Sequence, residues 1–405
     1  MSQKRRDNKG RILKTGESQR KDGRYLYKYV DTFGEPQSVY SWKLVSTDRV
    51  PAGKRDCVSL REKITELQKD MHDGIDVVGK KMTLCQLYAK QNAQRPKVRK
   101  GTQNGRKHLM DILEKDKLGV RSIDSIKPSD AKEWAIRMSE NGFAYSTINN
   151  YKRSLKASFY IAIQDDYVRK NPFDFQLNTV IDDDTVPKIA LTDEQKEKLL
   201  AFAKSDKIYS KNYDEILILL KTGLRISEFG GLTLSDLDFE NRLIHVDHQL
   251  LRNTEIGYYI ETPKTKSGER QVPMVEEAYQ AFKRVLANRK NGKRVVIDGY
   301  SDFLFLNRKG YPKVANDYGK TLTNLVKKYN KYNEIKLPHI TPHILRHTFC
   351  TNYANDGMNP KALQYIMGHA NITMTLDYYA HATFDSAMAE VERLEKRKQQ
   401  EQPAA

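Results

Sequence analysis

The stretch from His343 to Tyr379 constrains this 405-residue chain more than any other. It opens His343-Ile344-Leu345-Arg346-His347. On a helix, positions 343 and 346 share a face and can converge on one anion. Thr341 and Pro342 supply a helix start, a capping hydroxyl followed by proline at the first helical position. Leu363-Gln364-Tyr365-Ile366-Met367 then forms an apolar helical stripe that Gly368 stops, and His369 follows. Ten residues on lies Tyr379, with Tyr378 before it and His381 after. Arginine offers a rigid fork of donors to phosphate. Neutral histidine donates a hydrogen bond or shuttles a proton. Tyrosine can be the nucleophile of a covalent step. Singly, each residue has a plainer use: His347 and His381 suit surface or core, and either tyrosine can fill core. Together they suit phosphate chemistry, with Tyr379 or Tyr378 as the nucleophile.

Two earlier segments belong with this one. Thr222-Gly223-Leu224-Arg225-Ile226-Ser227-Glu228 sets an arginine just after a helix-breaking glycine. Pro263-Lys264-Thr265-Lys266-Ser267-Gly268 runs into Arg270-Gln271-Val272-Pro273. With His-x-x-Arg, Met-Gly-His and the tyrosine after them, these motifs resemble, in kind and in order, those of the tyrosine recombinases, also called the phage-integrase family. The resemblance spans about residues 191–389. It implies that Arg225 and Arg346 neutralise the phosphate and that His343 and His369 hydrogen-bond it. Tyr379 then attacks to form a 3′-phosphotyrosyl link. Lys264, on a β-hairpin, is the general acid, with Lys266 as the alternative, and Glu228 is a buried acid that orients Arg225. Met367 stands where leucine is commoner. No metal and no cofactor is implied, because the covalent link conserves the energy of the broken bond.

Composition fits a polyanionic partner. Lys and Arg number 70 against 52 Asp and Glu, a formal net charge of +18, which suits DNA better than an anionic membrane. Cys57, Cys85 and Cys350 are far apart and show no metal spacing, which fits a reducing compartment. With no apolar leader and no run of about 20 apolar residues, a soluble, cytoplasmic protein is expected.

The chain divides by pattern into a multidomain architecture. Residues 1–77 begin strongly basic, then alternate at Arg24-Tyr25-Leu26-Tyr27-Lys28-Tyr29-Val30, with the three tyrosines on one face. Asp31–Glu35 reads as a hairpin loop, Gln37–Trp42 as the next strand, and Ser59 with Glu62 as a helix-capping box. This small α+β module resembles the arm-type DNA-binding domain of conjugative-transposon integrases, for which Arg5, Arg6, Lys21, Arg24 and Lys28 are candidate contacts. Residues 82–175 predict four helices, at Thr83–Lys90, Arg106–Leu113, after Pro128, and Ser146–Tyr160. They match an all-α core-binding domain, with Lys97, Arg99, Lys100, Lys152, Arg153 and Lys156 as candidate backbone contacts. Residues 176–190 form a polar linker, and 191–390 a mainly α catalytic domain with a small β-sheet. Strands are expected at Leu232–Asp236, Arg242–Val246 and Phe303–Leu306, with Ile256–Thr262 and Arg270–Val272 flanking the lysine hairpin. A helix over Ser386–Lys398 runs into a charged tail, 391–405.

The resemblance implies integration and excision of a mobile element, with another recombinase such as a resolvase or invertase as the alternative. A type IB topoisomerase shares the chemistry but not the two added DNA-binding modules. A relaxase needs a histidine-rich metal cluster that the nine histidines do not form. A binding-only regulator would lack the catalytic set. Implied partners are double-stranded DNA at core and arm sites, further copies of the chain as dimer and tetramer, an excision factor and a host DNA-bending protein, and no membrane.

Overall fold

The computed structural model describes residues 5–30, 34–72, 79–186, 189–263, 265–289, 295–379, 388 and 391. The predicted hairpin loop at 31–33, residues 73–78 where the first predicted domain ends, Lys264, His381 and most of the predicted 386–398 helix lie outside them. The chain forms two compact units, Met1–Val186 and Pro187–Ala405.

The first unit opens with a three-stranded antiparallel sheet, β1 (Glu17–Gln19), β2 (Tyr25–Val30) and β3 (Pro36–Ser41), in that order. Alternation in β2 turns Tyr25 and Tyr27 toward α1 (Leu60–His72), where they meet Leu44, Leu60 and Ile64. The opposite side is cationic: Arg24 lies 5.7 Å from the Tyr40 ring centre and 5.6 Å from that of Trp42. Ser59 caps α1 reciprocally with Glu62, whose carboxylate accepts from the Ser59 N–H at 3.1 Å.

Four helices follow, α2 (Leu84–Ala93), α3 (Lys100–Lys115), α4 (Pro128–Glu140) and α5 (Tyr145–Gln164). They enclose a separate core around Trp134, Phe159 and Phe173. Helix α3 begins six residues earlier than its apolar positions suggest, through Gly101 and Gly105, so Lys100 stands in its first turn rather than in a loop. Asp70 of α1 pairs with Arg169 at 3.1 Å.

The second unit starts at a Thr192–Gln195 capping box on α6 (Asp193–Ser205). Helix α7 (Tyr213–Thr222) is buried on most of its surface and ends at Gly223, in the left-handed conformation with φ +62°. That reversal makes Arg225 the N-cap of α8 (Ile226–Gly231). Strands β4 (Leu237–Asp238) and β5 (Leu243–Val246) follow, then the hairpin β6 (Gln249–Asn253) and β7 (Gly257–Glu261), then β8 (Arg270–Pro273). Helices α9 (Glu276–Ala287), α10 (Ala315–Tyr332), α11 (Pro342–Asn355), α12 (Pro360–Met367) and α13 (Thr373–Leu376) complete it.

Three expectations are corrected. Leu234–Asp236 is a 3-10 turn, because Asp236 accepts from the Thr233 N–H and hydroxyl and closes the backbone on itself. Phe303–Leu306 makes only isolated bridges; its apolar run reports burial, not pairing. Strands β7 and β8 do not pair: β7 pairs with β6, and β8 with β5. The lysine segment therefore joins two sheets, with a 3-10 turn over Lys266–Gly268. Among the described residues no helix is long and apolar enough to cross a membrane.

Candidate active site

The last turn of α12 organises the site. A helix C-terminus leaves its final carbonyls without intrahelical donors, and its dipole favours cations there. Three consecutive carbonyls each receive one arginine. Arg270 Nε donates to Ile366 at 2.6 Å, Arg346 Nη2 to Met367 at 2.5 Å, and Arg225 Nη2 to Gly368 at 2.7 Å. Gly368 caps the helix at φ +61°; a Cβ there would lie 3.0 Å from both Arg270 Nη1 and the Ser267 carbonyl. The next residue is His369.

The arginines arrive from three elements. Arg225 caps α8, Arg270 opens β8, and Arg346 lies in α11, whose Thr341 cap and Pro342 stand as their sequence implies. Glu228 is the carboxylate among them. Its Oε1 accepts from Arg225 at 2.7 Å and Arg270 at 3.2 Å, and its Oε2 from Arg270 at 2.9 Å and the Arg225 N–H at 2.9 Å. Burial works to raise the Glu228 pKa, but Arg270, Arg225 and Arg346 outweigh it and hold the group below the usual carboxylate range. Two guanidiniums thus bond one carboxylate and a third, Arg346, lies near enough to act on it through charge alone, leaving the pocket with surplus positive charge.

Arg346 is 5 % exposed and also donates to the Gly223 carbonyl at 2.6 Å. Burial, with Arg225 and Arg270 beside it, pulls its pKa down to about 9, so it is still charged at neutral pH. His369 is buried, with Nδ1 2.9 Å from the Thr375 hydroxyl. Burial and the charges of Arg346, Arg225 and Arg270 push its pKa down to about 4, so it is neutral at pH 7. His343 is exposed in the first turn of α11.

The two tyrosines differ. Tyr378 has His347 with ring centres 4.8 Å apart and His369 at 6.5 Å. Tyr379 packs against the cluster of Phe349, Cys350, Leu363 and Met367, and its hydroxyl donates to the Met358 carbonyl at 2.5 Å. Burial raises both phenol pKa values; the charge of Arg346 opposes that rise at Tyr378.

Arg225, Glu228, Arg346 and His369 are therefore brought together, Lys266 is exposed in its turn, and Lys264 lies outside the described residues. Sequence reasoning missed Arg270, Thr375 and the Met358 carbonyl. Arg270 alternates correctly for an inward strand position, but alternation alone does not distinguish a buried arginine from an exposed one.

Of the candidate DNA contacts, Arg5, Arg6, Lys21, Lys28, Lys97, Lys100 and Arg153 are exposed, and Arg24, Arg99 and Lys156 partly so. Lys156 pairs with Asp174 at 2.5 Å. Lys152 is placed otherwise: it is 7 % exposed, its ammonium 4.7 Å from the Phe175 ring centre, and burial lowers its pKa. It falls four residues after Ile148 and three before Leu155, on the buried stripe of α5.

Residues 190–386 match the phage integrase family, and residues 1–71 match the DNA binding domain of Tn916 integrase. Over 405 residues, the whole of both chains, the sequence is 87% identical to the transposase from transposon Tn916 of Enterococcus faecalis. The Tn1549 transposon integrase (residues 82–397, R225K), solved in complex with a circular intermediate DNA, is 66% identical with a TM-score of 0.74. That match covers 77% of this chain and 99% of the other. The same integrase as Y379F, in complex with transposon right end DNA, is also 66% identical, with a TM-score of 0.73 over the same 77% of this chain and 99% of the other.

Proposed function

The chain belongs to the phage integrase family, the tyrosine recombinases, and from that premise we propose that it is the integrase of a conjugative transposon. It cuts and rejoins double-stranded DNA to integrate and excise the element. The observation that carries this reading is the pocket of three guanidiniums with a single carboxylate, bonded to Arg225 and Arg270, beside a tyrosine pair. Such a pocket is incomplete without an anion, and a scissile phosphate supplies one.

In the proposed step, Tyr379 attacks phosphorus. A bond from its oxygen to phosphorus forms, the bond from phosphorus to the 5′-oxygen breaks, and a 3′-phosphotyrosyl link remains. Arg225 and Arg346 take up the charge that gathers on the non-bridging oxygens. His343 and His369 hydrogen-bond the phosphate, and His343 assists the loss of the tyrosine proton. Lys264, or Lys266 in its place, gives the departing 5′-oxygen a proton. A 5′-hydroxyl from the partner strand then reverses the step, so neither water nor ATP is used. The R225K and Y379F substitutions in the Tn1549 integrase complexes fall on residue types that this chain has at 225 and 379, which supports Tyr379 over Tyr378. Before attack, the Tyr379 hydroxyl must leave the Met358 carbonyl.

The remaining assignments belong to the same proposal. Residues 1–77 bind arm sites, 82–175 and the catalytic domain 191–390 both engage the core site, and four copies assemble for strand exchange. An excision factor and a DNA-bending protein direct the outcome, in the cytoplasm.

Covalent capture tests the reading. The protein is incubated with a nicked duplex bearing the element end, without metal or ATP, and protein-linked DNA is sought on a denaturing gel. A linked band lost with Tyr379→Phe and kept with Tyr378→Phe is expected. DNA binding without any linked band, on the natural element end, would instead favour a binding-only protein.

A further inference from the structure

We propose that Arg270 is a positioning residue of this active site, holding Arg225, the turn that leads into His369 and the lysine-bearing loop in one register. The proposal rests on the recombinase reading above. The Arg270 side chain is fully buried, so it does not itself meet DNA. A buried guanidinium is costly unless most of its five N–H donors find acceptors. Here Nε serves Ile366, Nη1 serves Glu228 Oε1 and, at 3.0 Å, the Gly268 carbonyl, and Nη2 serves Glu228 Oε2.

Those acceptors lie on three separate segments. Glu228 carries Arg225 on its other edge, so the Arg270–Glu228 pair fixes the plane in which the Arg225 fork is presented. Ile366 and Gly368 accept from Arg270 and Arg225, so the turn before His369 is held from two sides. Gly268 ends the turn that begins at Lys266, two residues after Lys264. The glycine at 368 keeps the approach open, because a Cβ would press on both Arg270 and Ser267. Lysine has neither the planar fork nor enough donors on one plane to reproduce this set.

Charge gives the arrangement a signature distinct from packing. Glu228 is faced by Arg270 from β8, by Arg225 from its own helix start and by Arg346 from α11, with His369 and His343 beyond them. Without Arg270, burial of the carboxyl is opposed less, and Glu228 accepts a proton at higher pH. Arg225 then loses its charged partner on the acid side.

The full-length protein is compared with Arg270→Met, Arg270→Lys and the double variant Arg270→Met/Glu228→Gln. DNA affinity, melting temperature and the rate of covalent linkage from pH 5.5 to 8.5 are measured on the nicked element end, with Tyr379→Phe as control. Arg270→Met is expected to bind DNA within about twofold of wild type and to cleave about 100-fold more slowly. Its rate should fall further as pH drops, an acid limb that the double variant lacks. Arg270→Lys should cleave about tenfold more slowly than wild type, without that limb. A folded Arg270→Met with the wild-type rate and profile overturns the proposal. So does a rate loss that merely follows the folded fraction with an unchanged profile. If Arg270→Met does not fold, a wild-type rate in Arg270→Lys overturns it. Linkage that persists in Tyr379→Phe overturns the assignment of Tyr379 instead, whatever the Arg270 variants do.

Discussion

Arg346 and His369 are both held in forms that suit an incoming phosphate. Arg346 spends its donors on the Gly223 and Met367 carbonyls, which orient its fork without neutralising it. Arg346→Lys keeps the charge and loses the fork, so the linkage rate should drop about 100-fold or more while DNA affinity changes by less than about tenfold. Gel-shift and single-turnover linkage assays separate the two. His369 has a folded pKa of about 4, below its ordinary value of 6.5. The unfolded chain therefore takes up this proton first on acidification. The neutral histidine's contribution to stability is complete above about pH 6.5 and is lost as pH falls toward 4, at most about 3 kcal/mol. Denaturant melts at pH 7 and pH 5 should show this loss, and His369→Asn should shrink it; an equal loss in the variant would disprove the assignment. The motif residues here were legible because their spacing is local. Thr375, buried against His369, was not, since nothing in a lone threonine marks its partner.

Helix ends set the geometry one scale up. Gly223 and Gly368 both sit at φ near +60°, and each turns the chain so that the next residues, Arg225 and His369, enter the site. A Cβ on Gly223 would lie 2.4 Å from Phe349 Cδ1. Gly223→Ala should therefore destabilise the protein by about 2–4 kcal/mol, from left-handed strain plus displacement of that ring; calorimetry checks it. Helix boundaries followed from caps such as Ser59–Glu62 and Thr341–Pro342. Strand pairing did not follow, because period-two alternation says which face is buried and not which strand lies alongside. On α5 the helical period separates two neighbouring cations. Lys152 lies on the apolar stripe, whereas Arg153 is exposed. Lys152→Met should leave the salt dependence of DNA binding unchanged, whereas Arg153→Ala should reduce the slope of log K against log salt by about 1. Fluorescence anisotropy over a salt series decides between them.

For the whole molecule, a charge of +18 makes binding to DNA long-ranged and salt-sensitive, and the proposed assembly of four copies needs contacts between protomers, for which the segment after Tyr379 is the candidate. Removing residues from Ser386 onward should preserve single-site binding and reduce assembly, as read by sedimentation on DNA; unchanged assembly would refute a role for that segment. By itself the sequence determined the kind of chemistry, the candidate nucleophile pair and those helix starts that carry a cap, because each is written in neighbours a few residues apart. Only the tertiary structure decided that Arg225, Arg270 and Arg346 meet three successive carbonyls at 366–368. Those partners are separated by 143, 96 and 21 residues along the chain. Local periodicity encodes which face of an element is buried. It carries no record of which distant charge that face will meet, since an ion pair forms only where packing brings the two together.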